Sequence, residues 1–340
     1  MKHLIAIVLI AFGAAGCLEI KVRTTISEDG SSQRVVAFTR DRKSFPDAAF
    51  PIPKDSSWTI EWKTVDEGNK VRYEYTARKP FETTSDLERE YAEIPDTAVF
   101  DVKVRLTKRF QWFYTYFDFR ETYSLRNEFR HIPITAVLTP EEIEHYLYAY
   151  SGTTQDSILD ERIHAWSNRN EWEDFFEGLV NIVEKRNIPE VSVLKLMKGK
   201  ERFLAFVEVR GKEDKNANED VGEFFVEILE EVLDTKAVRP LKSDLEMLFS
   251  EFQRKSDRMG TASGTYENSV QLPGLLLETN STNIQGNLVT WKVKDDQLKV
   301  GVFEMNAESR VTNTWAFVVA GIVGVISLAV VVVRMVRKKS

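Results

Sequence analysis

The sequence predicts an α+β protein, an antiparallel β domain split by an inserted all-helical domain and followed by a single transmembrane helix. Three observations carry that expectation. Apolar residues alternate with polar ones at both ends of the chain, as in Ile20, Val22, Thr24 and Ile26 against Lys21, Arg23 and Thr25, the period of a half-buried strand. Between these ends, Trp172, Phe175, Phe176, Leu179, Val180 and Val183 recur at helical spacing, and so do Val221, Phe224, Phe225, Ile228, Leu229 and Val232. Residues 316–333 then read AFVVAGIVGVISLAVVVV, with no charge and Ser327 as the one hydroxyl, a length that crosses a bilayer.

In chain order, residues 18–40 form a hairpin about the turn SEDGSS (27–32). Pro46, Pro51 and Pro53 mark a loop, and a second hairpin turns at DEGN (66–69), with Trp58, Ile60 and Trp62 on one strand face. Ser85 and Glu88 are spaced as a capping box for a short helix reaching about Ile94. Residues 100–123 read as extended. Thr139, Pro140 and Glu142 place a cap, a first-turn proline and a capping-box acid in order, so a helix starts there. Residues 190–210 fit two short helices or a hairpin, and their helical neighbours favour helices. Ser243 and Glu246 are spaced to cap another helix. After Gly260 the pattern returns to strands over 264–277, 288–294 and 298–304. The expected divisions are a signal segment at 1–16, the β domain at 17–138 and 261–310, the helical insertion at 139–260, the spanning helix at 315–333 and a basic tail at 334–340.

The ends also predict location. Residues 1–16 combine a basic start, an apolar run from Leu4 to Phe12 and small residues up to Gly16, the make-up of a secretory signal. Small residues ending in Gly before Cys17, the single cysteine in 340 residues, resemble the bacterial lipobox. That resemblance implies cleavage before Cys17 and a diacylglycerol thioether on its sulfur; Ala14 departs from it, standing where Leu is commonest. Arg334, Arg337, Lys338 and Lys339 follow the apolar stretch, and the positive-inside tendency assigns them to the cytoplasm. The expected location is the cytoplasmic membrane of a bacterium, with most of the chain on its outer side. With both anchors in one bilayer, the first strand's start and the last strand's end should share the membrane-proximal end of the β domain.

Setting aside Lys2 and the four tail cations leaves 41 basic against 53 acidic residues, a charge of −12 outside the cell. An acidic body argues against nucleic acid as a partner. The segments CLEIKVRTTISEDGSS and LPGLLLETNSTNIQGNLVTWKVKDDQLKV resemble the ends of membrane-anchored lipoproteins of the mycobacterial LppM type, through Pro273, Gly274, Asn280, Gly286, Val289 and Trp291. The resemblance implies an envelope protein whose outer domain is a lipid-binding β fold without catalytic residues.

Candidate chemistry is sparse. In FQWFYTYFDF (110–119), Phe113, Phe117 and Phe119 fall on one strand face and Phe110, Trp112, Tyr114 and Tyr116 on the other. Such a segment fits a central strand covered on both sides. The polar handles of Trp112, Tyr114 and Tyr116 also suit a groove for a lipid. Glu142 with His145, and Glu161 with His164, have the spacing of di-iron bundles but fit solvated helix faces better, so no metal is expected. No nucleophile elbow or phosphate-binding loop occurs, and neither an enzyme nor a cofactor is expected. The expected partner is membrane lipid, covalent at Cys17 and bound by the outer domain. The alternative is an envelope protein docked on the helical domain.

Overall fold

The computed structural model describes residues 18–40, 56–66, 71–92, 100–126, 129, 131–150, 152–213, 220–260 and 264–339. Cys17, the signal segment, the 46–53 loop and residues 67–69 of the DEGN turn lie outside them. In chain order come β1 (Leu18–Ile26), β2 (Ser32–Arg40), β3 (Thr59–Asp66), β4 (Val71–Phe81), α1 (Thr84–Ala92), β5 (Phe100–Gln111) and β6 (Tyr114–Leu125). Five helices follow: α2 (Pro140–Tyr148), α3 (Thr154–Arg186), α4 (Val193–Glu213), α5 (Val221–Leu233) and α6 (Lys242–Gly260). The chain then forms β7 (Gly264–Gln271), β8 (Leu275–Thr279), β9 (Asn283–Gln285), β10 (Leu288–Lys294), α7 (Asp295–Val300), β11 (Phe303–Thr312) and α8 (Thr314–Lys339).

The strands make two sheets, one ordered β3-β4-β2-β1-β7-β10-β9 and the other β5-β6-β11-β8. Strands from both sides of the helical insertion pair directly, since β1 lies against β7 from Leu18↔Gly264 to Thr25↔Gln271. That pairing is parallel, a departure from the all-antiparallel expectation. The reason is topological: β6 ends and β7 begins at the same end of the body, so the returning strand runs with β1. The inner faces share one core, with Val22, Val36, Phe38, Val270 and Trp291 from the first sheet against Val102, Leu106, Phe117, Phe119 and Met305 from the second.

Two residues inside that core are charged. Arg34 of β2 and Glu121 of β6 are both buried and meet through Nη2–Oε1 at 2.5 Å and Nη1–Oε2 at 2.9 Å. Nη1 also donates to Thr24 Oγ1 at 3.0 Å, and the guanidinium stands 4.5 Å from the centre of the Tyr91 ring. Burial is the largest single influence and opposes a charged Arg34, but the charge and hydrogen bonds of Glu121 together with Tyr91 and Tyr123 outweigh it and hold the guanidinium pKa well above its ordinary value. The pair ties one sheet to the other at a fixed point.

The helical insertion has its own core, an aromatic cluster in which Phe175 stacks on Phe225 at 4.6 Å and Trp172 on Phe252 at 5.1 Å. Residues 193–213 form one continuous helix, so the ambiguous 190–210 stretch is neither a hairpin nor two helices. The Thr139–Glu142 capping box is present. The other two caps differ. Thr83 and Asp86 cap α1, while Glu88 accepts from the Leu106 amide at 3.0 Å; a 3-10 turn (Lys236–Leu241) runs straight into α6 and leaves Ser243 inside it.

The insertion is fastened to the β body through α7, which falls where a strand was expected. Gln297 donates to the carbonyls of Tyr146 (2.9 Å) and Leu147 (3.0 Å), and Val300 packs with Leu138, Tyr146, Leu159, Ile163 and Trp166.

Removing one member of the ion pair leaves its partner charged and buried. Arg34→Met should destabilise the protein by about 3–5 kcal/mol, and adding Glu121→Leu should recover most of that loss in chemical denaturation. A second prediction concerns Glu171 on α3. Burial pushes its carboxyl up from 4.5 to about 7, against the opposing pull of Lys299 on α7 and a hydrogen bond from Ser167. The folded state then holds this proton more tightly than the unfolded chain, so its contribution is complete below pH 4.5 and is lost as pH rises through 7. Glu171→Gln should raise stability at pH 8 by about 1–3 kcal/mol and change it little at pH 4, read by thermal melts.

Candidate functional site

The ends of the β body are distinguished by a few contacts. Phe100 meets Tyr266 at 5.1 Å, so the starts of β5 and β7 share one end with Leu18, the partner of Gly264. Lys108 Nζ donates to the Asp29 carbonyl at 2.7 Å, and Ser309 Oγ to the Pro273 carbonyl at 2.8 Å. The β1–β2 turn and the end of β7 therefore lie at the other end, where β11 finishes at Thr312 beside Tyr114. One residue later α8 begins.

This corrects the expected arrangement of the anchors. The last strand runs over 303–312 and not 298–304, and its end lies opposite the start of β1. Helix α8 offers 24 residues from Thr314 to Arg337 with mean hydropathy 2.9, and 6% of its most apolar window is buried. At ~1.5 Å per residue such a helix spans a ~30 Å hydrocarbon core. Its near-complete exposure sets it apart from the core helix of a soluble protein.

The FQWFYTYFDF segment surrounds the α8 entry. It is a hairpin and not a covered central strand, since β5 and β6 pair up to Gln111↔Tyr114 with Trp112 and Phe113 as the turn. Trp112 adopts φ 38, the left-handed region that side chains other than Gly enter at a cost. Asn313 holds this backbone in place. Its Nδ2 donates to the Trp112 carbonyl at 2.8 Å, its backbone N–H to the Phe113 carbonyl at 2.8 Å, and its Oδ1 accepts from Thr115 Oγ1 at 3.0 Å.

Around this clamp the aromatic rings form a continuous surface. Trp315 stacks on Phe110 at 6.1 Å and meets Trp112 edge-on at 5.5 Å; Phe317 lies 4.6 Å from Phe113 and 6.1 Å from Tyr114. Phe110, Trp112 and Trp315 are 57%, 48% and 52% exposed. Tyr114 and Tyr116 lie on the outer face of β6, 6.4 Å apart, beneath Arg310 (4.6 Å from Tyr114) and Arg109 (5.8 Å from Tyr116). Tyr114 and Tyr116 thus share the outer face of β6, while Trp112 sits in the turn against Trp315 on the side of Phe110; Phe110 pairs with the buried Thr115 and so lies on the opposite face from the two tyrosines, not with them as the alternation suggested. Trp and Tyr belong at a membrane–water boundary because each joins an apolar ring to a polar tip. The signal that sequence reading missed is Asn313, which alternation does not mark.

The two Glu-x-x-His pairs do not converge. Glu142 is engaged by Arg162 (2.6 Å) and the Thr139 amide (2.8 Å), His145 lies 2.7 Å from Asp156, and His164 lies 3.9 Å from Asp296. Among the described residues no group of three His, Cys, Asp or Glu is placed to hold a metal ion.

No family model and no curated protein matches the chain. Among solved structures, the NMR structure of the folded domain of Mycobacterium tuberculosis LppM is similar at 13% identity and a TM-score of 0.32, covering 88% of this chain and 92% of that one. At that level the likeness assigns neither a fold nor a residue role.

Asn313→Ala should free the hairpin tip. Losing two side-chain hydrogen bonds costs about 1–2 kcal/mol locally, so backbone amides at the tip should exchange with deuterium roughly ten-fold faster, with the helical insertion unchanged.

Proposed function

We propose that this chain is a cell-envelope lipoprotein of the cytoplasmic membrane whose exported head engages a lipid or glycolipid at the outer face, with its basic tail in the cytoplasm. The carrying observation is the aromatic surface at the α8 entry, where Trp112 packs on Trp315 and, on the outer face of β6, Tyr114 and Tyr116 lie beside Arg310 and Arg109. Rings of this kind contact acyl chains while guanidinium groups meet phosphate or sugar hydroxyls.

The lipid on Cys17 belongs to this reading and has a geometric consequence. β1 starts at Leu18, so a modified Cys17 emerges at the far end of the strands, roughly 30 Å from the helix entry. Both anchors share one leaflet only if the strands lie along the membrane.

Lipids that copurify with the full chain, identified by mass spectrometry, test the proposal. The wild type should retain a defined lipid class, and the combined Trp112→Ala, Tyr114→Ala and Tyr116→Ala variant should lose it at least five-fold. Equal retention would contradict the reading. Cys17→Ala should abolish palmitate labelling while leaving the chain in the membrane fraction. A second reading, docking of an envelope protein on the helical insertion, draws on Leu194 and Met197, exposed one turn apart on α4. A photo-crosslinker at Leu194 that captures one defined protein in cells would favour it.

A further inference from the structure

The apolar surface around α8 extends beyond the aromatic hairpin. β8 forms the opposite edge of the second sheet and starts with Leu275 paired to Arg310, two residues before β11 ends. Leu275 and Leu277 point outward, 59% and 41% exposed, while Leu276 between them packs against the core. On the edge of the other sheet, Ile284 pairs with Val289, next to the Leu288↔Gln271 pair that closes the same end. Ile284 is also exposed.

These side chains come from three edges. Phe110 stands on β5, Leu275 on β8 and Ile284 on β9, and α8 leaves from β11, which lies between the β5–β6 pair and β8. The turn from β7 into β8 helps to place Leu275. Gly274 has φ 76, and a Cβ there would press into the Arg310 carbonyl, so only glycine lets the chain turn that closely. We propose that this end of the β body is a membrane seat, in which Phe110, Trp112, Leu275 and Ile284 enter the interface of the bilayer that α8 spans. The head then stands upright, with its strands steep to the membrane.

The occupant follows from continuity. A single residue separates β11 from α8, and Trp315 in the first helical turn already touches Phe110 and Trp112. A bilayer that contains α8 meets the surrounding edges, and no other partner reaches them without displacing lipid. Apolar side chains around a helix exit, with Arg310 level with Leu275 and Arg109 one residue before Phe110, match the boundary between acyl chains and headgroups, where long arginine side chains reach the headgroups. The inference rests on α8 spanning a membrane and does not require a specific lipid at Trp112, Tyr114 and Tyr116. The inference is for the chain held by α8 alone, the state that a Cys17→Ser background isolates: an upright head keeps the helical insertion and Leu18 away from the membrane, whereas a lipid on Cys17 in the same leaflet would draw the strands down along it.

The single cysteine makes the test direct. In a Cys17→Ser background, the variants Leu275→Cys, Ile284→Cys and Val302→Cys each carry one NBD probe on the full chain in phosphatidylcholine–phosphatidylglycerol nanodiscs. Val302 is exposed at the far end of the second sheet, next to Phe303. Probes at Leu275 and Ile284 should emit blue-shifted and be quenched at least three-fold more by doxyl-labelled lipid than the probe at Val302, which iodide should quench instead. Iodide quenching at Leu275 and Ile284 equal to that at Val302 would overturn the seat. Lipid quenching at Val302 as strong as at Leu275 would overturn the upright head. Unchanged melting temperatures certify folding, and the two independent seat positions guard against a local defect at either one. Lipid copurification separates this outcome from the proposed headgroup contact, because the seat survives a loss of specific lipid.

Discussion

The orientation of the whole head depends on one junction. β11 is an interior strand of its sheet, paired to β6 on one side and β8 on the other, and only Asn313 stands between its last residue and an apolar helix. A strand paired on both sides cannot swing, so the helix leaves from a fixed point. Asn313 adds side-chain and backbone bonds to the hairpin turn, including the strained carbonyl of Trp112. Helix, central strand and aromatic hairpin therefore move as one unit. The Arg34–Glu121 pair carries that rigidity into the other sheet, because it fixes where the two sheets cross. An arrangement in which the sheets crossed elsewhere would leave both charges buried and unpaired, so the pair disfavours such alternatives.

The same arrangement explains the position of the helical insertion. It leaves after β6 and returns before β7, both at the far end, and is held there by α7. The joint combines the Gln297 bonds to the Tyr146 and Leu147 carbonyls with the apolar packing of Val300; it is braced on one side by Asp296 with Lys299 at 2.8 Å within α7, and on the other by Tyr146 and Tyr150 on the two oxygens of Asp160 at 2.7 and 2.8 Å within the insertion. One face of α3, carrying His164 and Glu171, meets the charges of α7. The Gln297 bonds fix its geometry through their direction, and the half-buried carboxyl of Glu171 couples the joint to pH.

Much of this was legible in the sequence. The alternation in β1, the helical periods of α3 and α5, the Thr139-Pro140-Glu142 start and the apolar α8 each need only local chemistry, and each appears where that chemistry puts it. What was not legible depended on distant partners. The turn at Trp112–Phe113 contains no Gly, Pro, Asn or Asp, and it forms because Asn313, some two hundred residues away, satisfies its carbonyls. α7 interrupts what reads as a strand because Gln297 finds helix α2. The parallel β1–β7 pairing reflects where the insertion returns, which periodicity does not encode. Arg34 and Glu121 sit at inward-facing positions of two strands and look like breaks in alternation until they are seen to meet. Trp112, Tyr114 and Tyr116 were recognised as a group, but the surface they share with Trp315 and Phe317 belongs to the helix entry.

The central claim is that the β body stands on the membrane and carries the helical insertion away from it. Cryo-electron microscopy of the full chain carrying Cys17→Ser, and so anchored by α8 alone, in a lipid nanodisc with an antibody fragment bound to the insertion as a fiducial tests this most directly. The account predicts the two sheets directly above the disc surface, their strands steep to it, and the insertion with its fragment at the distal end. An insertion lying against the disc, or sheets flat along it, would contradict the account.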